Sequence, residues 1–114
     1  MQNQRIKMQE YTIRFGTNIN HEYNYEQAKR LLISLFGAAD LTQASYSRDY
    51  TAEPDDKKAK IYLNFYAVVS TSLPYSKLKQ QLKSLEEQIG RTAERKAQGI
   101  IDADFDIILP NAEQ

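Results

Sequence analysis

Three aspartates near the end of the chain occupy alternate positions in the segment DADFD. In a β-strand, Asp102, Asp104 and Asp106 would point to the same face, with successive side chains roughly 6.6 Å apart at ~3.3 Å per residue. Such a row of carboxylates repels itself unless a cation lies between them, and Mg²⁺ commonly binds through one or two carboxylates and the phosphates of a substrate. The alternative is a solvated edge strand, where charged side chains hinder pairing with another molecule. The spacing alone leaves both interpretations open.

A second polar group alternates along the segment KIYLNFYAVVS, which has the composition of a strand. Tyr62, Asn64 and Tyr66 would share one face of that strand, opposite its apolar residues. An amide group can bind the polar edge of a heterocycle, and an aromatic ring can stack on it. The same residue types are also common on an ordinary half-exposed strand, so this pattern alone does not define a ligand.

Hydrophobic periodicity predicts four strands that would carry these residues. Apolar residues alternate with polar ones in three segments, and a fourth segment is more polar and gives a weaker signal. In chain order the four segments are 11–15, 41–50, 61–69 and 101–109, of which the second is the weaker. Two polar stretches, 51–60 and 91–99, predict loops.

Apolar residues at helical spacing predict two helices between the strands. The first has its apolar stripe over 25–35, and Asn24 with Gln27 forms a capping-box pattern at its start. The second has its stripe over 78–89, after Pro74, which suits a first helical turn. A glycine follows each stripe and predicts the end of each helix: Gly37 and Gly90.

The order of these elements predicts an α+β fold of the ferredoxin-like β-α-β-β-α-β type. It has a four-stranded antiparallel sheet with two helices on one face, because right-handed crossovers place both helices on the same side. The other face is left open, and the aspartates and the Tyr62–Asn64 pair would lie there. Residues 10–110 would form this single domain, between a polar N-terminal lead-in at 1–9 and a C-terminal tail at 111–114.

The composition argues against several classes of function. The 114 residues suffice for one domain, and 15 basic side chains balance 15 acidic ones, which disfavours nucleic acid or an anionic membrane as a partner. Cysteine is absent and His21, expected in a loop, is the single histidine, so no thiolate or zinc site is indicated. No apolar run approaches the roughly 20 residues of a membrane span. We therefore expect a cytoplasmic protein.

Five short segments occur in the order found in the hydroxymethyl-dihydropterin pyrophosphokinases of folate synthesis, and the chain resembles that family over nearly its whole length. These segments are GTN after the first strand, YT before a polar loop, YLN on the third strand, LEEQIGR at the end of the second helix, and DADFD. From Leu85 to Leu109 the spacing is similar to that of the family without a gap.

The resemblance implies transfer of pyrophosphate from ATP to the hydroxymethyl group of a reduced pterin, with two Mg²⁺ ions as cofactors. Asp104 and Asp106 match the family's magnesium-binding aspartates. The pterin-binding positions are matched by three residues: Thr51, Tyr62 and Asn64. Arg91 matches the arginine after the helix-ending glycine and is the catalytic candidate.

The chain departs from the family pattern at several positions. Ala93 and Ile101 stand where the family has arginines, and Gln98 stands at the position of a tryptophan. Two nearby cations could contact phosphates instead: Arg95 and Lys96. The family also continues beyond the position of Gln114 with a histidine, further arginines and an aromatic lid.

Arg14 stands at a position of the first strand where the family tends to have a small residue. In the expected strand order this strand lies beside the aspartate strand. Arg14 could therefore pair with Asp104 or Asp106 and take over the charge of a metal ion.

Three functions follow from these observations. The first hypothesis is an active, shortened pyrophosphokinase. The second is a catalytically inactive descendant that serves as a ligand-binding or protein-interaction module. A third hypothesis is single-stranded RNA binding through Tyr62 and Tyr66, since RNA-binding modules share this topology. The aspartates and the zero net charge disfavour it. The exposed final strand also offers an edge through which two copies could pair as a homodimer.

Overall fold

The computed structural model describes residues 7–37, 40–49, 51–57 and 59–110, with the backbone alone for the last two. Within these ranges the chain forms five strands and three helices. In chain order they are β1 Gln9–Thr17, α1 His21–Phe36, β2 Asp40–Leu41, β3 Ser45–Arg48, β4 Ile61–Thr71, α2 Tyr75–Ile89, α3 Ala93–Ala97 and β5 Asp104–Pro110. The predicted tail at 111–114 and the first six residues of the predicted lead-in lie outside the described residues.

The strands form one antiparallel sheet in the order β2-β4-β1-β5, with β3 also paired to β4. The predicted α+β class with an antiparallel sheet is confirmed. The predicted count of four strands and two helices is wrong for the part of the chain described here, which has five and three. β1 lies between β4 and β5, so side chains from all three strands meet on the open face.

The extra strand arises because the predicted strand over 41–50 is interrupted after Leu41 and resumes at Ser45. Leu41 faces Ala67 of β4, whereas Ser45 faces Asn64, so the register between the strands shifts by one residue. At the break, the N–H of Tyr66 donates to the hydroxyl of Thr42 at 2.8 Å instead of to a backbone carbonyl. This side-chain acceptor replaces a rung of the ladder, and such a contact is invisible to hydrophobic periodicity.

Both long helices pack on the same face of the sheet, as predicted, and the core lies between them and the strands. Alternate residues of β1 and β4 are buried there together with one stripe from each helix. The buried set consists of Tyr11, Ile13, Phe15, Ala28, Leu32, Phe65, Ala67, Val69, Leu78, Leu82, Leu85, Ala103 and Phe105. Burial of this apolar surface fixes which side chains of each strand face the opposite, open side.

Three local predictions are wrong. α1 begins at His21, so His21 is not in a loop and Asn24 is not its cap. Asn24 is buried instead, and its Nδ2 donates to the carbonyl of Ile19 at 2.9 Å. The predicted loop at 91–99 contains the short helix α3, because the hydroxyl of Thr92 caps it by accepting from the N–H of Arg95 at 3.1 Å.

The ends of the two long helices agree with the prediction. Gly37 and Gly90 follow them with φ angles of 75° and 136°, which residues with a Cβ rarely adopt. Within the described ranges, no helix combines the length and the apolar character needed to cross a bilayer.

Candidate functional site

A cavity of about 490 Å³ opens on the sheet face that carries no helix. Its floor comes from β1, β3, β4 and the start of β5, and one side from the loop after β3. It is lined by Arg14, Gly16, Ser45, Ser47, Arg48, Asp49, Thr51, Tyr62, Asn64, Tyr66 and Asp104. The cavity thus brings together the three predicted pterin-binding residues and one predicted metal ligand.

Asn64 is held at the floor of the cavity by its neighbours on β1 and β3. Its Nδ2 donates to the hydroxyl of Ser47 at 2.7 Å. Its partner on the neighbouring strand β1 is Gly16, and a Cβ added at that glycine would lie 3.0 Å from the Asn64 Oδ1. Any larger residue at this position would crowd the amide oxygen of Asn64.

Tyr62 forms the wall next to Asn64 and is only partly exposed. Its hydroxyl accepts a hydrogen bond from Nδ2 of Asn18 at 3.3 Å. Burial raises the pKa of the Tyr62 hydroxyl, so the ring stays neutral at physiological pH. A neutral ring held by this bond is suited to stacking against a planar ligand.

The GTN segment fastens the end of β1 to the chain that leads into β5. Asn18 Nδ2 donates to the carbonyl of Gly99 at 3.0 Å, and its Oδ1 accepts from the N–H of Ile101 at 2.9 Å. The buried hydroxyl of Thr17 donates to the Ile101 carbonyl at 3.2 Å. These bonds fix the approach of the aspartate strand to the cavity, which gives the sequence GTN a structural reason.

Thr51 stands at the mouth of the cavity in a turn closed by Asp49. Both the N–H and the hydroxyl of Thr51 donate to Oδ1 of Asp49, at 2.9 and 2.6 Å. These bonds lower the pKa of Asp49 and keep it ionised. Arg48 holds the same loop, because its Nη2 donates to the carbonyls of Glu53 and, at 2.9 Å, of Asp56.

Each of the two aspartates on β5 is bound by an arginine. Arg14 lies directly opposite Asp106 on β1, and its Nη2 is 2.9 Å from Oδ2 of that carboxylate. Nη1 of Arg91 is 3.1 Å from Oδ1 of Asp104 and 3.0 Å from the carbonyl of Ala103. Burial, and then the neighbouring charge of Asp106, raise the pKa of Asp104. Each carboxylate therefore has its own arginine, and the negative charge of Asp106 disfavours ionisation of Asp104.

The sequence model of the family described as 7,8-dihydro-6-hydroxymethylpterin-pyrophosphokinase matches residues 12–112, which include every residue that lines the cavity. The chain belongs to this pyrophosphokinase family. The match confirms the resemblance based on the segments from GTN to DADFD. A comparison with curated proteins found no significant match.

The predicted site residues of this pyrophosphokinase-family protein fall into three places. Four of them line the cavity: Thr51, Tyr62, Asn64 and Asp104. Asp106 and Arg91 adjoin it through their ion pairs. Arg95 and Lys96 lie on α3 and are not among the cavity-lining residues.

Asp102 does not join the row of aspartates, so the prediction that all three share a face is wrong. It precedes β5 and is only 4% exposed. Arg95 approaches it with two parallel N–H groups, Nε and Nη2, each 2.8 Å from a carboxylate oxygen. This bidentate pair fastens α3 to the start of the strand. Arg95 can therefore contact a phosphate only by giving up or sharing this partner.

Sequence reasoning missed Glu86 as a residue of the site. It is 8% exposed near the end of α2, and its Oε2 accepts from the N–H of Phe105 at 2.7 Å. Its Oε1 lies 3.5 Å from Nη1 of Arg91. Burial raises the pKa of Glu86. A signal was present, because Glu86 follows Leu82 by four residues and so falls on the buried stripe of the helix.

Through these contacts Glu86, on α2, reaches both the aspartate strand β5 and Arg91. Phe105 lies between Asp104 and Asp106 in the sequence, so the bond to its N–H positions the segment that carries both aspartates. Arg91 is shared between Glu86 and Asp104. Glu86 is therefore a positioning residue for the aspartate strand.

The donor set of the site fits a hard cation at Asp104. Among the described residues, no group of three or more acidic or histidine side chains could hold a metal by itself. Mg²⁺ does not require one, because it binds through one or two carboxylates and completes its shell with phosphate oxygens and water. Asp104 lines the cavity and shares Arg91 with Glu86, whereas Asp106 is not among the lining residues and is bound by Arg14.

Proposed function

We propose that the protein binds ATP and 6-hydroxymethyl-7,8-dihydropterin in this cavity and transfers the terminal diphosphate of ATP to the pterin. The observation that carries the proposal is that one cavity collects Thr51, Tyr62, Asn64 and Asp104, four positions that the family resemblance assigns to pterin and metal. They come from three separate parts of the chain. Membership of the pyrophosphokinase family supports the same ligands.

The pterin would occupy the part of the cavity between Tyr62 and Asn64. The amide of Asn64 offers donors and an acceptor to the polar edge of the heterocycle, and Ser47 fixes its orientation. The ring of Tyr62, held by Asn18, offers a stacking surface. Backbone groups of the turn at Thr51 would complete the contacts at the mouth.

The reaction requires alignment of the phosphates more than covalent help from the protein. The hydroxymethyl oxygen of the pterin attacks the β-phosphorus of ATP, the bond from that phosphorus to the α,β-bridging oxygen breaks, AMP leaves, and the hydroxyl proton passes to solvent. Mg²⁺ held at Asp104 would neutralise phosphate charge. Arg91, beside that carboxylate, would add a fixed positive charge, and Glu86 would keep it in place.

A second candidate function is ligand binding without turnover. It is favoured by Ala93 and Ile101, which stand at family arginine positions, and by the bidentate pair that engages Arg95 with Asp102. A single phosphate-binding arginine can contribute roughly 10³–10⁵ to the rate of phosphoryl transfer. The loss of two such residues would suppress the reaction more than the binding.

The test is calorimetric titration with α,β-methylene ATP and Mg²⁺, with and without the hydroxymethyl-pterin, followed by measurement of AMP released from ATP. We expect the pterin to bind in the presence of the nucleotide analogue. With ATP, we expect one AMP to be released for each pterin diphosphate formed. Binding without AMP would favour the second candidate, and no heat from either ligand would contradict both.

Tyr62→Ala provides the matched variant for this test. It removes the stacking surface and should abolish the heat of pterin binding while the nucleotide still binds. The control is Tyr23→Ala, since Tyr23 is 64% exposed on α1, away from the cavity. Equal pterin binding by both variants would contradict the proposed place of the pterin.

A further inference from the structure

Arg14 lines the cavity and forms an ion pair with Asp106, one of the two neighbouring aspartates of β5. β1 is flanked by β4 and β5, and Arg14 faces Tyr66 on one side and Asp106 on the other. Its Nη2 is 2.9 Å from Oδ2 of Asp106, and the two side chains are 44% and 42% exposed. Arg14 also lines the cavity together with Asp104. The ion pair is thus part of the site and open to a ligand.

Each of the two aspartates already lies within ion-pair distance of an arginine, although Arg91 is also shared with Glu86. Asp104 and Asp106 carry two negative charges, and Arg91 and Arg14 carry two positive ones within ion-pair distance. A divalent cation at Asp106 would have to displace the guanidinium of Arg14 or lie beside its positive charge. The carboxylate of Asp104 faces the cavity, and its arginine, Arg91, lies at 3.1 Å and is divided between Asp104 and Glu86. The arrangement therefore favours one cation over two.

Arg14 can also bind a phosphate while it holds Asp106. A guanidinium has five N–H donors in a planar fork, and the contact to Asp106 is made through Nη2. Arginine binds phosphate and carboxylate through parallel pairs of such donors. A phosphate group that reaches Arg14 from the cavity would therefore meet a positive charge that the ion pair with Asp106 holds in place.

We propose that Arg14 replaces one of two magnesium ions, so that the site takes a single divalent cation at Asp104 and holds the nucleotide's phosphate chain directly through Arg14. The proposal rests on the proposed function for its ligand, a nucleoside triphosphate. It departs from the expectation of two Mg²⁺ ions and assigns Asp106 to the arginine instead of to a metal.

The experiment uses Mn²⁺ in place of Mg²⁺ and reads electron paramagnetic resonance spectra of the full chain with α,β-methylene ATP, with protein in excess over nucleotide. Two metal ions in one site lie about 3.5–4 Å apart and give a spin-coupled spectrum, whereas a single ion does not. The wild type should give the single-ion spectrum. Arg14→Ala should give the coupled spectrum, because Asp106 becomes available.

Three further variants keep the proposal testable, including the case in which Arg14→Ala does not fold. Arg14→Lys keeps the charge and should keep the single-ion spectrum. Arg48→Ala removes an equal charge from the same cavity, but that arginine binds loop carbonyls, so the single ion should remain. The Asp106→Asn variant should bind Mn²⁺ with an affinity within about threefold of that of the wild type. The loss of a metal ligand would lower the affinity by much more.

A coupled spectrum in the wild type, the same spectrum in the wild type and Arg14→Ala, or a loss of Mn²⁺ with Asp106→Asn would each overturn the proposal. Equal coupling in Arg14→Ala and Arg48→Ala would overturn it as well, since the effect would then be one of general charge. Neither pterin nor turnover enters the measurement. Failure of the proposed function, read from pterin heat and AMP, is therefore distinguishable from failure of this inference.

Discussion

Gly16 and Asn64 face each other across β1 and β4, and their contact determines where the amide can lie. A Cβ at Gly16 would be 3.0 Å from the Asn64 Oδ1, too close without a small shift. The amide is the end of a flexible side chain, so the shift costs little stability. Gly16→Ala should therefore lower pterin affinity by about tenfold, or ~1.4 kcal/mol, and change the free energy of unfolding by less than about 1 kcal/mol. Calorimetry and urea denaturation measure the two quantities.

Ser47→Ala is the control for this prediction. It removes the 2.7 Å hydrogen bond to Asn64 without filling any space. We expect a smaller loss of pterin affinity than for Gly16→Ala, because Nδ2 of Asn64 loses one acceptor but still has the carbonyl of Ser45 at 3.5 Å, and no added Cβ displaces Oδ1. An unchanged affinity in Gly16→Ala would mean that Asn64 does not contact the pterin.

Asp104 should bind its cation in competition with a proton. Burial and the charge of Asp106 raise the pKa of Asp104, so its protonated form persists above the usual aspartate range. The affinity for Mn²⁺ should fall as the pH is lowered, beginning at a pH higher than for an ordinary aspartate. Asp104→Asn should weaken Mn²⁺ binding by more than about tenfold at pH 7, since the metal loses a charged ligand.

Asp106→Asn provides the matched control, because it makes the same chemical change two residues away on the same strand. Titrations of the three proteins with Mn²⁺ over a range of pH, followed by electron paramagnetic resonance, test the prediction. Circular dichroism verifies that each variant is folded. Equal affinity of the wild type and Asp104→Asn would remove Asp104 from the metal site.

Between elements, the buried carboxylate of Glu86 joins the end of α2 to β5. Burial raises the pKa of Glu86 in the folded state, whereas the unfolded chain has an ordinary glutamate. As the pH rises from the ordinary range to the raised pKa, the folded state keeps a proton that the unfolded state has lost. The contribution of Glu86 to stability therefore falls over this window with rising pH.

Glu86→Gln stays neutral at every pH and can still accept the hydrogen bond from the N–H of Phe105. Its stability relative to the wild type should therefore increase as the pH rises through the window and become constant above it. Urea denaturation of both proteins at a series of pH values gives this difference. Glu87→Gln, at an exposed position of the same helix, should show no such trend. A difference independent of pH for Glu86→Gln would contradict the prediction.

The elements that bury continuous apolar stripes could be predicted from the sequence. β4 and the two long helices show their periods clearly, since every second or every third to fourth side chain packs in the core. The break at Thr42 could not be predicted, because a side-chain hydroxyl replaces a backbone acceptor there. Neither could α3, which buries no residue and depends on the cap at Thr92.

The site could be predicted where it depends on strand alternation and not where it depends on side-chain contacts between different elements. Asn64 lies on the open face of β4 because its neighbours Leu63 and Phe65 are buried. Asp102 was assigned to the wrong face because its position depends on Arg95, seven residues earlier on α3. Helical spacing could have placed Glu86 on the buried stripe of α2, but its contact with the backbone of β5 forms only in the folded chain.

For the whole molecule, the balance of charge bears on the third hypothesis, single-stranded RNA binding on the open face. The formal net charge is zero, so there is no general attraction for a phosphate backbone. Tyr66 is 43% exposed and could stack on a base, but Tyr62 is partly buried and bound to Asn18. The aspartates of β5 lie beside this surface.

We therefore expect the protein to bind a fluorescently labelled oligouridylate with a Kd of about 10⁻⁴ M or weaker at physiological salt, the weak end of the non-specific range. Fluorescence anisotropy measures this affinity. The double variant Asp104→Asn/Asp106→Asn is the informative comparison, because it gives the open face a net positive charge while Tyr66 stays in place. If the variant binds more tightly and the wild type does not, the carboxylates are what exclude the RNA. Micromolar binding by the wild type that weakens as salt is added would instead mean that the open face accepts a phosphate backbone, and the cavity would then need a different ligand from the pterin.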